Sequence, residues 1–264
     1  MDGGRHSGAN QMMIARPSLK SALTHFCAAI QFITILPIGP RGLYAPREMV
    51  AWFPVAGLAI GLGLCLLDRA AAALWSPGAA AVLDVVFLML ITGALHLDGL
   101  GDTADGLYGR RDRESALRIM KDSRIGTMAL VTVVACLALK TVGIAGLQTD
   151  RSLVLVLVPG FARGAMLFAI RWLPYGRTQE GTGFDLFTPP LTIASFSGFL
   201  PLLALSCLLG ARLPVLMAGF GLIVGLTLLY YKRRIGCITG DMLGAMTEIT
   251  ESILFLLMAM RGLQ

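Results

Sequence analysis

The stretch of this 264-residue chain best equipped for chemistry is His96-Leu-Asp98-Gly-Leu-Gly-Asp102-Thr-Ala-Asp105-Gly106. It spaces three carboxylates at i, i+4 and i+7, directly after a long apolar run. On a helix that spacing lines all three along one face. Three ionised acids on one face repel one another, and a divalent cation held between them removes the conflict. Carboxylate oxygens suit Mg²⁺, Mn²⁺ or Ca²⁺ and serve soft metals badly. Mg²⁺ takes few protein carboxylates and completes its shell with water and substrate phosphates. The pattern therefore points to metal-assisted phosphoryl transfer.

Other residues extend this candidate site. Asp122, in Lys121-Asp122-Ser-Arg124-Ile-Gly126, is expected as a fourth metal ligand, with a salt bridge to a flanking cation as the alternative. Arg110, Lys121 and Arg124 are candidates for substrate phosphate. Residues 112–122 read as a short amphipathic helix with Asp112 as its N-cap. His96, within a turn of Asp98, either donates to phosphate or packs as a hydrogen-bonded core residue. Arg163 lies inside an apolar stretch and needs a carboxylate or a substrate phosphate beside it. A second acidic island, Asp241, Glu248 and Glu251, again follows helical spacing. Asp241 is taken from it as a further catalytic carboxylate; compensation of a helix dipole is the competing account. Gly99, Gly101, Gly106 and Gly109 imply close approach of a ligand or of a neighbouring helix.

The elements that must position these groups are membrane helices. The chain is 56% hydrophobic and 14% charged, with a mean hydropathy of +0.74. A soluble domain carries about 25% charged residues, and one this apolar could not bury its own surface. Apolar stretches at 50–67, 79–97, 127–147, 153–170, 191–209 and 213–231 predict six spans in an all-α polytopic bundle. The stretch 22–36, interrupted by Thr24, His25, Gln31 and Thr34, predicts a re-entrant or interfacial first helix, and 253–260 a C-terminal helix. Segment 98–125 carries Arg110, Arg111, Arg113, Arg118, Lys121 and Arg124, and segments 171–190 and 232–240 are also basic. By the positive-inside rule all three lie in the cytoplasm, where together they can assemble an active site. A polar tail is expected over 1–20, with no removable signal peptide, and one membrane domain over 21–264. The five cysteines form no CxxC pair and read as small buried thiols rather than a disulfide framework or a zinc site.

The run His96 to Leu107, with Ile119-Met-Lys-Asp122-Ser-Arg-Ile-Gly126-Thr, closely resembles the cobalamin synthase family, the adenosylcobinamide-GDP ribazoletransferases. Phe32-Ile-Thr-Ile-Leu-Pro37, Phe53-Pro-Val-Ala-Gly57 and Thr239-Gly-Asp241-Met-Leu-Gly-Ala245 carry the same resemblance, which extends from about residue 20 to the end. It implies a multi-pass enzyme of the bacterial inner membrane that joins adenosylcobinamide-GDP to α-ribazole or its 5′-phosphate and releases GMP, with Mg²⁺ as cofactor. On that reading Asp98, Asp102, Asp105 and Asp122 hold the metal and the diphosphate, and His96, Arg110, Lys121, Arg124 and Arg163 meet phosphate. Membrane lipid and the two small-molecule substrates are the expected partners, and nucleic acid is not; a homo-oligomer is compatible.

A looser likeness reaches the CDP-alcohol phosphotransferases, lipid-synthesis enzymes with the pattern Asp-x-x-Asp-Gly-x-x-Ala-Arg followed by Gly-x-x-x-Asp-x-x-x-Asp. Asp102, Asp105-Gly106 and Arg110 match; Gly109 replaces the alanine, Asp122 stands near the third acid, and Gly126 occupies the place of the fourth, the general base. Asp98, Asp241 or a substrate phosphate is left to take that role. A transporter is the remaining alternative, and clustering of charge at one surface rather than at mid-membrane counts against it.

Overall fold

A computed structural model of the chain describes residues 19–40, 43–177, 183–188 and 190–263. The helices are α1 (Leu19–Ile33), α2 (Pro46–Val50), α3 (Phe53–Ala72), α4 (Pro77–Ile91), α5 (Leu95–Leu107) and α6 (Arg113–Ile119). They continue as α7 (Thr127–Gly146), α8 (Arg151–Trp172), α9 (Phe199–Ser206), α10 (Leu213–Arg234) and α11 (Gly240–Met258). The described residues form no sheet, and a single isolated bridge joins Tyr175 to Ile238. The all-helical reading therefore holds. Of the expected tail, residues 1–18 lie outside the described residues, and Leu19 and Lys20 already belong to α1.

The span count differs from the six expected. By length and composition α3, α7, α8 and the run Phe199–Arg234 can cross a membrane, and a fifth crossing arises only if α4 and α5 are counted as one. Residues 79–97 do not form one straight helix. Gly93 (φ +60°) and Ala94 (φ +58°) both take left-handed conformations, and α5 leaves α4 at 87°. A glycine closing a helix in the left-handed region is a common stop signal. With 13 residues, α5 reaches only about 20 Å, too short to cross by itself, and it packs against α11 and α7. The expected span 191–209 contains only the eight-residue α9, preceded by a 3-10 turn at Ile193–Phe196 whose Thr192 and Ser195 form a capping box. Gly198 follows, so close to α2's end that a Cβ there would sit 2.1 Å from the Ala51 carbonyl oxygen. Within the described residues α1 is an apolar helix of 15 residues, fewer than the about 20 that a crossing needs.

Small residues set the packing. A Cβ on Gly57 or Gly61 of α3 would lie 2.3 Å from the carbonyl oxygen of Pro159 or Val156 on α8, so the two helices meet backbone to backbone. α11 occupies the centre, packed against α5, α7, α8 and α10. Its acids are neutralised there. Lys140 Nζ on α7 lies 2.6 Å from both Glu248 Oε2 and Glu251 Oε2, and Arg163 of α8 pairs with Glu251 Oε1. All four side chains are at least 95% buried. At one end of the bundle Arg151 holds Asp68 of α3 at 2.6 Å and reaches Asp84 of α4 at 3.5 Å. Of the cysteines, all free, Cys65, Cys136 and Cys237 are buried as expected, Cys27 is half-buried and Cys207 is exposed.

Candidate active site at the crossing of α5 and α11

The site forms where α5 passes the start of α11. A Cβ on Gly99 would lie 2.6 Å from the Asp241 carbonyl oxygen, and one on Gly244 3.1 Å from the His96 Cα. The two glycines thus let the helices touch and bring Asp98 and Asp241 to one cavity. For Gly99, the neighbouring-helix reading of the sequence is the right one. Gly101 and Gly106 likewise face protein, Ala129 and Met120, while Gly109 takes φ +74° in the turn after α5.

Two cavities of about 480 Å³ each open here. The first is walled by His96, Asp98, Tyr175, Arg177, Gly240 and Asp241, with Tyr44, Phe53 and Gly183 completing it. The second is walled by Asp98, Asp102, Lys121, Asp122, Ser123 and Arg124 over an apolar floor that includes Leu97, Ala129 and Val133. Asp98 lines both. The three segments that the charge pattern grouped together, 98–125, 171–190 and 232–240, supply described residues to this end of the molecule, with 178–182 and 189 outside the described residues. Arg234 adds a clasp by donating to the Leu107, Gly109 and Arg111 carbonyls behind α5.

The electrostatics follow from the crowding of acids. Burial, then repulsion from Asp98 and Asp241, pushes the Asp102 carboxyl up to about 6. Arg177 offsets part of this charge through an Nη2 contact of 2.5 Å to Asp241 Oδ2. Thr239 caps α11 by accepting from Met242 N at 3.3 Å, and its hydroxyl lies 3.3 Å from Asp241 Oδ2. The Arg177 backbone is fixed in turn. Gly176 N donates to the Ile238 carbonyl at 2.8 Å and Ile238 N to that of Pro174 at 3.0 Å.

The structure sorts the predicted site residues. Asp98, Asp102, Asp241 and His96 line the cavities, with His96 buried beneath them, and so do Asp122, Lys121 and Arg124. Asp105 turns the other way: its Oδ2 accepts from Gly126 N at 2.7 Å and its Oδ1 from Ala129 N at 3.0 Å. It caps α7 from another helix and so departs from the stripe of three ligands. Asp122 takes the alternative noted for it, a salt bridge to Arg124 at 2.5 Å, and that guanidinium holds its carboxyl down to about 2. Arg110 is exposed in the turn after α5. Arg163 is completely buried on Glu251 and lines neither cavity, so the carboxylate, not a substrate phosphate, is its partner. Glu248 and Glu251 serve the same buried network rather than a helix dipole. Asp112 caps α6 as predicted, accepting from Ser115 N at 2.8 Å.

These findings reduce the set that fits Mg²⁺. Among the described residues no three His, Cys, Asp or Glu side chains form a metal-holding group. Asp98 and Asp102, one helical turn apart on α5 with Asp241 nearby, still match an ion that takes one or two carboxylates and fills its shell with water and phosphate. Asp105 and Asp122, engaged elsewhere, do not. Sequence reasoning missed Arg177, which reads as one loop cation among several. It also missed Lys140, although a lone lysine within an apolar run is a legible signal of a buried partner.

Fold and site together define a helical membrane protein with two acid-lined cavities that share Asp98. The description Cobalamin-5-phosphate synthase belongs to the family that matches residues 25–259, and the chain is a member of that family. It is 35% identical to an adenosylcobinamide-GDP ribazoletransferase of Chlorobaculum tepidum over 90% of this chain and 96% of the relative. Relatives of the same description from Alkaliphilus metalliredigens and Thermosynechococcus vestitus are 36% and 40% identical, each over 89% of this chain and 96% of the relative. No solved structure matches the chain.

Proposed function

We propose that this chain is a Mg²⁺-dependent adenosylcobinamide-GDP ribazoletransferase, forming adenosylcobalamin or its 5′-phosphate with release of GMP. The observation that carries the reading is the pair of cavities meeting at Asp98. Two substrates seated one in each present their reacting atoms at that shared wall, which supplies the proximity a group transfer needs. A ribazole hydroxyl attacks the phosphorus bound to cobinamide, the new O–P bond forms, and the bond to GMP breaks. The hydroxyl proton passes to a carboxylate, for which Asp241 is placed at the edge of the first cavity. Asp98 and Asp102 would hold Mg²⁺, which when bound supplies charge that offsets the negative charge of the phosphates. Lys121 and Arg124, on the rim of the second cavity, neutralise phosphate from the other side.

The basic segments at this end support a site that faces the cytoplasm from the bacterial inner membrane, by the excess of Lys and Arg that cytoplasmic loops carry. The test is one turnover: purified protein in detergent with adenosylcobinamide-GDP, α-ribazole and Mg²⁺, following GMP. Release that requires both substrates and stops with chelator supports the reading. Activity instead with CDP-diacylglycerol and a radiolabelled headgroup alcohol replaces it with the CDP-alcohol alternative.

A further inference from the structure

Arg177 is the one lysine or arginine among the described residues that line the first cavity, and it faces Asp98 and Asp241. A guanidinium carries five donors in a rigid fork. Among the described residues its one carboxylate contact is Asp241, and its Nε is buried with no hydrogen-bond partner. Burying an arginine donor without a partner is costly, and a phosphate oxygen is the acceptor such a fork fits best. Its backbone is pinned through Gly176 to Ile238, so the guanidinium can exchange partners while its Cα stays in place. Beside it, Gly240 begins α11 with no atom within 4 Å of where a Cβ would stand, which leaves room for an incoming anion.

Resting on the transferase reading above, the geometry points to Arg177 as a diphosphate-binding residue of the first cavity, held on Asp241 until substrate arrives and then transferred to its phosphate. The exchange has a second effect. Asp241 loses its counter-ion as the diphosphate gains one, so the carboxylate becomes a free acceptor only when substrate is bound.

The competing account is a plain tether, in which the Arg177–Asp241 pair merely fastens the segment after α8 to α11. Binding of GMP to detergent-purified variants, with KM and kcat for adenosylcobinamide-GDP, separates the two. Arg177→Gln is expected to weaken GMP binding about tenfold or more and to raise KM, and Arg177→Lys to recover part of the loss because it keeps the charge without the fork. Asp241→Asn releases Arg177 and is expected to bind GMP at least as tightly as the wild type while losing turnover. If Asp241→Asn weakens GMP as much as Arg177→Gln does, or if Arg177→Gln binds GMP normally, the assignment is overturned. Each variant is compared as the monodisperse peak on size exclusion, and Arg177→Lys supplies the reading if the Gln variant does not fold. Wild-type protein that releases no GMP sinks the transferase reading instead, which keeps the two failures distinct.

Discussion

Asp102 and Asp105 sit three residues apart on one helix, yet their replacement should fail in opposite ways. The N-cap of α7 is Gly126, which has no side chain to offer, and Asp105 supplies the missing acceptor through bonds of 2.7 and 3.0 Å to Gly126 N and Ala129 N. Removing a helix cap costs about 0.5–2 kcal/mol, and hydrogen bonds to a charged group are worth about 1.5–3 kcal/mol each. Asp105→Ala should therefore lose about 2 kcal/mol of stability, near the top of the cap range because both bonds go together. The loop 121–126, which carries Lys121 and Arg124 to the cavity rim, loses its anchor, so KM should rise as well. Asp105→Asn keeps one oxygen but turns an amide N–H₂ toward a backbone donor, and should lose about half as much. Asp102→Asn should behave otherwise. It removes a carboxylate crowded by Asp98 and Asp241, so folding should be unharmed, while the Mg²⁺ concentration for half-maximal GMP release should climb about tenfold or more. Thermal unfolding in detergent and Mg²⁺ titration of turnover read the two effects separately. An Asp105→Ala protein of wild-type stability whose Mg²⁺ requirement rises as steeply as that of Asp102→Asn would refute the capping role and return Asp105 to the metal.

Two further outcomes follow from the packing. Gly61→Ala places a Cβ 2.3 Å from the Val156 carbonyl oxygen; a backbone atom cannot swing aside, so the α3–α8 contact should open at a cost of about 1–3 kcal/mol, seen as a lower unfolding temperature. Lys140→Met leaves Glu251 with Arg163 alone and takes from Glu248 the one cation it pairs with among the described residues; it should cost about 3–5 kcal/mol, read as lost monodisperse protein, while adding Glu248→Gln should restore part of the yield.

The helical class, the acid-rich helix and the meeting of three basic segments at one end were legible because each rests on local signals: hydropathy, spacing and charge. The breaks were harder. Residues 79–97 read as one span because Thr92-Gly93-Ala94 is three residues in an apolar run, and only the left-handed pair at Gly93 and Ala94 shows that the chain turns there. Direction was the other blind spot. Asp98, Asp102 and Asp105 share a helical face to within the tolerance of spacing, but Asp105 stands nearest the start of α7, and the unsatisfied amides there capture it. No local pattern announces a cap supplied across 21 residues. Arg163 was ambiguous for the same reason: its need for a partner is a property of the residue, whereas the choice of Glu251 is a property of the packing.

That packing explains why charges lie inside a bundle that must sit in lipid. α11 has to begin at the site, where Asp241 is needed, and continue through the centre of the molecule, where its next acidic positions are Glu248 and Glu251. Two buried carboxylates against two buried cations, Lys140 and Arg163, leave the interior neutral. Replacing the set with apolar side chains should preserve stability, since buried ion pairs often gain little over good apolar packing. Apolar side chains would, however, let α11 slide along or rotate about its axis. The pairs tie it to α7 and α8 at fixed heights, and a one-residue slip would turn Asp241 by about 100° away from Asp98. The network is thus better understood as setting the register of the catalytic helix than as holding the bundle together. An apolar quadruple replacement at Lys140, Arg163, Glu248 and Glu251 that melts like the wild type yet turns over poorly would be its signature; full activity in that protein would show that the glycine contacts at Gly99 and Gly244 set the register unaided.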